Sequence, residues 1–408
     1  MTRIESKPFF EEGTAVVHRL RRALAEVLAT AGAPVDEPQE MSRQLGLDKT
    51  LTWRVARLVG EEDAWEAVAH VPRRPSIKLL VEALSRRGVS EAGIDSVWRA
   101  MDDFDRFVDV HSGDRETLEI MASVVSKRST EKRMEVFRRD GYLANSAIWG
   151  VRVGVQLAAQ FVAPGSVPGK LDCATLCGFA GFRRLRVDVL WEIATRRIWD
   201  SERSLQSEHA AGFEYLDPTV AKGDVPVMRE FCSNPLPTLR IFERDQNSRS
   251  YLLEGNEVGN TASADVFLGW VDRNFADEVE AYPGECGEHG AVISTPAAEL
   301  VHDLYVHRKL DFKVHPEASV YSQLPGGPQY PSHGPNYALS LPVPQEVHDL
   351  GIGLPDGSIG TIGRYREMVS AAVKQIGHEL DDFRAFRYKL RHPPVPSLSV
   401  MRHTLLRG

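Results

Sequence analysis

The sequence predicts a multidomain α + (α+β) protein, with an all-α N-terminal part followed by a larger strand-rich α+β part. Three observations predict it. Apolar residues recur at three- and four-residue spacings through the first 140 positions, the period of helices with one buried face. From Ile148 the pattern becomes alternation, with Val151, Val153, Val155 and Leu157 on one side. Glycine and proline rise beyond the same point, and LPGGPQYPSHGP at 324–335 reads as a loop. A chain of 408 residues is long enough for two or three domains, and the expected division is 1–62, 63–144 and 145–408.

The first helix runs over 13–32, with Val16, Val17, Leu20, Leu24, Val27 and Leu28 as its stripe and Gly32 at its end. The stretch QEMSRQLGLDKTLTWRVARLV follows at 39–59. Its first short helix spans Gln39–Leu45, where Met41 and Leu45 share a face and Ser42 is small enough for a close crossing. Gly46 ends that helix, because a left-handed residue there costs least as glycine. Leu47 plugs the turn, and Asp48 caps a second helix whose buried stripe is Leu51, Val55 and Leu58. Lys49, Thr50, Trp53, Arg54 and Arg57 lie on the opposite side.

This segment resembles the helix-turn-helix of bacterial transcription regulators over about twenty residues. The resemblance implies a helix-turn-helix domain and a second helix that reads DNA in the major groove. The expected DNA contacts are then Lys49, Thr50, Trp53, Arg54 and Arg57. Thr52 stands where such motifs usually carry valine or isoleucine, and no strand–turn–strand wing follows. A regulator of this kind is expected to act as a homodimer, because one recognition helix reads few bases. Its C-terminal part would sense a small-molecule effector or drive self-association.

Further helices are expected at 63–70, 76–87, from Ser90 to about Phe107, at 114–125 and over the basic stretch KRSTEKRMEVFRR at 127–139. After Ile148 the expected strands are 187–199, 238–243, 249–253, 263–271, 290–294, 318–322, 384–391 and 396–402, with QNSRS at 246–250 as a hairpin turn. Helices are expected at 171–183, 296–309 and 363–377.

Composition narrows the function classes. Hydrophobic and charged contents of 42% and 26% are those of an ordinary globular protein. A net charge of −8 argues against indiscriminate polyanion binding. Residues 1–60 hold nine Lys/Arg against eight Asp/Glu, so any DNA contact must come from a local face. The N-terminus lacks an apolar signal region, no run reaches membrane-spanning length, and four cysteines do not make a disulfide framework. A cytoplasmic protein without a membrane partner is expected.

No complete catalytic motif emerges, and no cofactor is named. GSVPGKL at 165–171 lacks the spacing and the Ser/Thr of a phosphate loop and reads as a turn. Metal-ligand types occur in two places. Cys286 and His289 have C-x-x-H spacing, and TPAAELVHDLYVHRKL carries Glu299, His302, Asp303 and His307, read as a helical face. These residues make a metal-dependent or Cys/His hydrolase the second reading, with the helical part as accessory. Anion-binding candidates are Arg183, Arg184 and Arg186, with Arg387, Lys389 and Arg391 expected to point outward from their strand. A structural or assembly protein using the helical hairpin as an interface is the third reading.

Overall fold

The computed structural model describes residues 7–125, 130–197, 213–245, 248–279, 286–310, 315–322, 340–355 and 357–405. The expected loop at 324–335 lies outside the described residues, as do parts of the expected turn at 246–250 and of the basic stretch at 127–139. The chain divides into two compact units, Met1–Met134 and Glu135–Gly408. The all-α then α+β architecture is as the sequence predicts.

The first unit is built from α1 (Lys7–Thr30), α2 (Pro38–Leu45), α3 (Lys49–Gly60), α4 (Ala64–Ala67), α5 (Arg74–Arg86), α6 (Glu91–His111) and α7 (Arg115–Val125). One continuous core holds them, with Leu20, Leu24, Met41, Val55, Leu84 and Phe104 in its interior. Gly13 of α1 permits a close approach, since a Cβ there would meet the Trp65 ring at 2.5 Å. A further helix, α8 (Thr130–Trp149), leads into the second unit.

The second unit centres on a seven-stranded sheet in the order β11-β12-β9-β1-β2-β7-β4. Its members are β1 (Val151–Pro164), β2 (Lys170–Arg184), β4 (Phe213–Tyr215), β7 (Ala264–Asp277), β9 (Ala297–His307), β11 (Val347–Ile352) and β12 (Phe383–Arg391). The β1–β9 ladder is parallel and its other ladders are antiparallel. Helix α9 (Tyr365–Gln375) covers one face, where Met368, Val369 and Ala372 meet Val155, Phe161, Val301 and Tyr305. The other face packs Val162, Leu300 and Leu304 against a second sheet, β10-β13-β8. That sheet is made of β10 (Glu317–Ser322), β13 (Ser397–Thr404) and β8 (Cys286–Ile293). The third sheet has the order β3-β6-β5 and is formed by β3 (Trp191–Arg197), β5 (Leu239–Asp245) and β6 (Ser248–Leu253). Its Tyr251 and Leu253 share a core with Phe179 and Val266.

Two expected helices are strands. Residues 171–183 lie in β2, and 296–309 contain β9. Both are interior strands of the sheet, covered on both faces, so they lack the polar alternation that marks a half-exposed strand. Their Ala, Leu, Cys and Glu content matched a helical pattern, and sheet burial overrode that preference. Thr295 and Pro296 lead into β9. The buried Thr295 hydroxyl accepts from Trp191 Nε1 at 2.9 Å, and the Pro296 carbonyl accepts from Val153 N. GSVPGKL forms the β1–β2 hairpin turn, closed by Gly165 N donating to Lys170 O at 2.7 Å. Gly178 in β2 is fixed by a close approach, because a Cβ would fall 2.1 Å from the Val266 carbonyl oxygen.

Candidate functional site

Three side chains that could hold a metal ion converge at one end of the α9 face. They are His307, His378 and Asp382, whose ligand atoms all lie within 4.8 Å of one another. Local structure accounts for each position. His307 is the last residue of β9 and pairs in register with Phe383, the first residue of β12. Asp382 immediately precedes Phe383, so the ladder carries it to His307. Its backbone carbonyl accepts from Arg308 N at 2.8 Å, which fixes the same corner. His378 arrives from α9. Gly377 (φ 87°) ends that helix in the left-handed conformation that favours glycine, and His378 N then donates to Val373 O. The two imidazoles lie 4.6 Å apart between centroids, and both meet the Phe383 ring edge-on.

The protonation states suit a cation. Burial pushes the His307 imidazole below its usual range, and the neighbouring His378 pushes it further; burial also lowers His378. Both therefore keep a lone pair at neutral pH. The Glu379 backbone N–H donates to the Asp382 carboxyl and holds it below its ordinary value. His307 Nδ1 accepts from Lys309 N at 3.1 Å, which places the proton of the neutral ring on Nε2. The one lone pair of the neutral ring is thus at Nδ1, and a metal bond from Nε2 would need the ring proton moved to Nδ1 and the Lys309 contact given up. Two imidazoles and one carboxylate are a borderline donor set that leaves coordination positions open, as zinc sites that bind water do.

The other expected ligands do not converge there. Glu299 and Asp303 share the face of His307 on β9, but strand spacing separates Asp303 from His307 by roughly 13 Å. Asp303 is fully buried and takes two hydrogen bonds from Arg387, from Nε at 2.8 Å and Nη2 at 2.7 Å. Tyr365 adds a third at 2.5 Å. His302 points to the opposite face, where its Nε2 and Nδ1 lie 3.0 Å from Gln160 Oε1 and from the Ser399 hydroxyl. Gln160 uses its amide group on Gly290 O, so His302 Nε2 donates to it and the Ser399 hydroxyl donates to Nδ1. Burial lowers the His302 imidazole to about 3. Cys286 and His289, three apart on β8, face opposite sides of the strand. Cys286 is exposed, while His289 Nε2 lies 3.2 Å from His403 Nε2. All four cysteines are thiols, and burial raises Cys173 and Cys177 to about 12 and Cys232 to about 11.

The anion candidates also divide. Arg387 was expected to point outward, and it is buried, because the face it occupies is covered by the 357–365 segment. Besides Asp303 it donates to the carbonyls of Gly357 and Ser358. Arg184 is likewise buried and donates to Leu253 O and Val189 O. Arg183 donates to Asn260 Oδ1, and Arg391 lies 3.7 Å from Glu135. Arg186 and Lys389 are exposed.

In the first unit, α2 and α3 meet the local geometry expected of them. Gly46 is left-handed (φ 65°), and the Asp48 carboxylate accepts from Thr50 N at 2.7 Å and Leu51 N at 3.4 Å. Ser42 Oγ closes the turn on Leu47 O at 2.6 Å, and the buried Thr52 hydroxyl is satisfied by Lys49 O at 3.1 Å. Leu51, Val55 and Leu58 are buried, whereas Lys49, Thr50, Trp53, Arg54 and Arg57 are all exposed.

His378 and Asp382 were missed at the sequence level. The signal was HELDD at 378–382 directly after a glycine-ended helix, and only the ladder with β9 gives it a partner.

No family model matches the chain, and no curated protein matches it. Among solved structures, a Parabacteroides distasonis protein provisionally assigned as a protease aligns at 8% identity with a TM-score of 0.24. The alignment covers 62% of this chain and 40% of that one, and a likeness at this TM-score carries no argument about fold or activity.

Proposed function

We propose that the second unit is a metal-dependent hydrolase centred on His307, His378 and Asp382. The observation that carries this reading is the convergence of two imidazoles and a carboxylate within 4.8 Å. A divalent ion such as zinc would supply a water of lowered pKa and polarise an ester, amide or phosphoester of the substrate. The residues of the chain do the rest. Phe383 holds both rings in place, Glu379 N orients the carboxylate, and the charge of Lys309 bears on both histidines. The Lys309 ammonium has no carboxylate partner among the described residues, so it is placed to compensate negative charge on a substrate.

Elemental analysis after zinc dialysis and washing tests this reading. About one zinc per chain is expected, with loss of both zinc and chromogenic ester hydrolysis in His378→Ala and Asp382→Asn. A wild-type protein that retains no metal would overturn it.

A second reading is favoured by the α3 surface. All five polar or aromatic side chains expected to touch DNA are exposed, directly opposite a buried stripe. It makes the first unit a DNA-binding module of a transcriptional regulator that works as a homodimer. The larger unit would then serve effector sensing or self-association. Arg54→Ala together with Arg57→Ala is expected to abolish affinity for a selected DNA site. Unchanged affinity would sink the reading.

A further inference from the structure

The near balance of charge over residues 1–60 hides an uneven surface. Trp53 on the exposed side of α3 packs edge-on against His70, with ring centroids 5.4 Å apart. The Arg57 guanidinium lies over the same indole at 5.6 Å. His70 ends a 3-10 turn, Val68–His70, that leads directly to Arg73 and the start of α5. That lead is pinned from beneath: Arg115 donates to Val71 O at 2.6 Å and to Pro72 O at 3.2 Å. The charges of Arg57, Arg133 and Arg54 all bear on His70, with Glu61 the opposing carboxylate, and those of Glu119 and Asp105, then Arg73 and Arg54, bear on Arg115. Arginines of α3 and α8 therefore gather around one aromatic pair, with Arg73 three residues along the chain from His70.

Arg54, Arg57, Arg73 and Arg133 have no carboxylate within salt-bridge distance among the described residues. Four other arginines of the unit, Arg19, Arg43, Arg74 and Arg106, are each neutralised by a carboxylate. Arg74, one residue beyond Arg73, bonds Asp102 at 2.6 Å and Asp105 at 2.8 Å, and Arg43 bonds Glu40 at 3.2 Å. Guanidinium groups held close together with few counter-charges repel one another, and a polyanion relieves that repulsion as it releases its own counterions.

We propose that Arg54 and Arg57 of α3, Arg73 at the head of α5 and Arg133 of α8 form one phosphate-contacting surface around the Trp53–His70 pair, and that this surface holds the backbone of a DNA duplex. The proposal rests on the DNA-binding reading and extends it beyond the face of one helix. Arg73 and Arg133 position the duplex, and the α3 side chains meet the groove.

The test uses the full chain and a fluorescent mixed-sequence duplex of about 24 base pairs, titrated at several salt concentrations. The slope of log affinity against log salt falls by about 0.9 for each phosphate that is no longer neutralised. Arg73→Gln with Arg133→Gln is expected to lower it by about 2. Arg73→Lys with Arg133→Lys keeps the charges and is expected to restore it. Arg106→Gln, which removes an arginine already beside Asp103, is expected to leave it unchanged. Circular dichroism confirms that each variant is folded. If the double glutamine variant binds with the wild-type slope, this surface is wrong while the α3 reading stands. If the wild-type protein does not bind the duplex even at low salt, both fail. Heparin or single-stranded RNA binding as tightly as the duplex would overturn the assignment to duplex DNA.

Discussion

Asp303 and Arg387 form an ion pair in a place neither shares with water. Burial alone would lower the guanidinium pKa, but the paired hydrogen bonds and the charge of Asp303 raise it above its ordinary value. Tyr305 and Tyr365 complete the group, with both phenols raised well above their usual range by burial and then by the nearby carboxylate. Asp303→Asn leaves a buried guanidinium without its counter-charge and is expected to cost about 3–5 kcal/mol in urea denaturation. A loss below about 0.5 kcal/mol would show that the pair contributes little. His302 gives a pH dependence. Its folded value of about 3 lies below the unfolded value of about 6.5, so the unfolded chain binds the proton more readily. The contribution is complete above about 6.5 and is lost progressively as pH falls towards about 3. His302→Gln, which cannot titrate, is expected to flatten the fall in stability between pH 6.5 and 4. A fall as steep as in wild type would exclude His302 as its source. Arg387 also shows the limit of reading a strand residue by residue. Alternation put Arg387, Lys389 and Arg391 on one face, but sequence did not reveal that a loop and a helix cover that face at Arg387.

Elements fixed by local chemistry were legible, and those fixed by distant partners were not. The α2–α3 pair follows from Gly46, Asp48 and one apolar stripe, all within twenty residues. Asp48→Ala removes the acceptor for two backbone amides and is expected to lower the melting temperature of the first unit. An unchanged melting curve would mean that the cap is redundant. Strands β2 and β9 depend on neighbours far away in sequence, and their composition alone favoured helix. The metal centre divides in the same way. His307 stood out within a run of titratable residues, whereas His378 and Asp382 gain meaning only from the α9 end and the β9–β12 ladder. Gly377→Ala is expected to strain the turn that delivers His378 and to weaken zinc retention several-fold in competition with a chelator. Wild-type retention would show that His378 is placed by other contacts.

The molecule contains separate cores, one in the helical unit and others among the sheets. Leu24→Ala removes a fully buried side chain from the helical core and is expected to cost about 2–5 kcal/mol there. Calorimetry should resolve two transitions, of which the substitution lowers one. A single transition that moves as a whole would show that the units unfold together. None of the helices among the described residues is long and apolar enough to cross a membrane.

The parallel ladder between β1 and β9 bears on how the protein is made. A ribosome releases β1 and β2 well over a hundred residues before β9, an interval on the order of ten seconds at ordinary elongation rates. Throughout that time the open edge of β1 offers unpaired amides and carbonyls to any passing strand. The helical unit, with its local contacts and earlier emergence, faces no comparable wait. The nascent chain is therefore most exposed to misassembly at its central strand, and chaperone capture or slow, cool expression should protect the second unit more than the first.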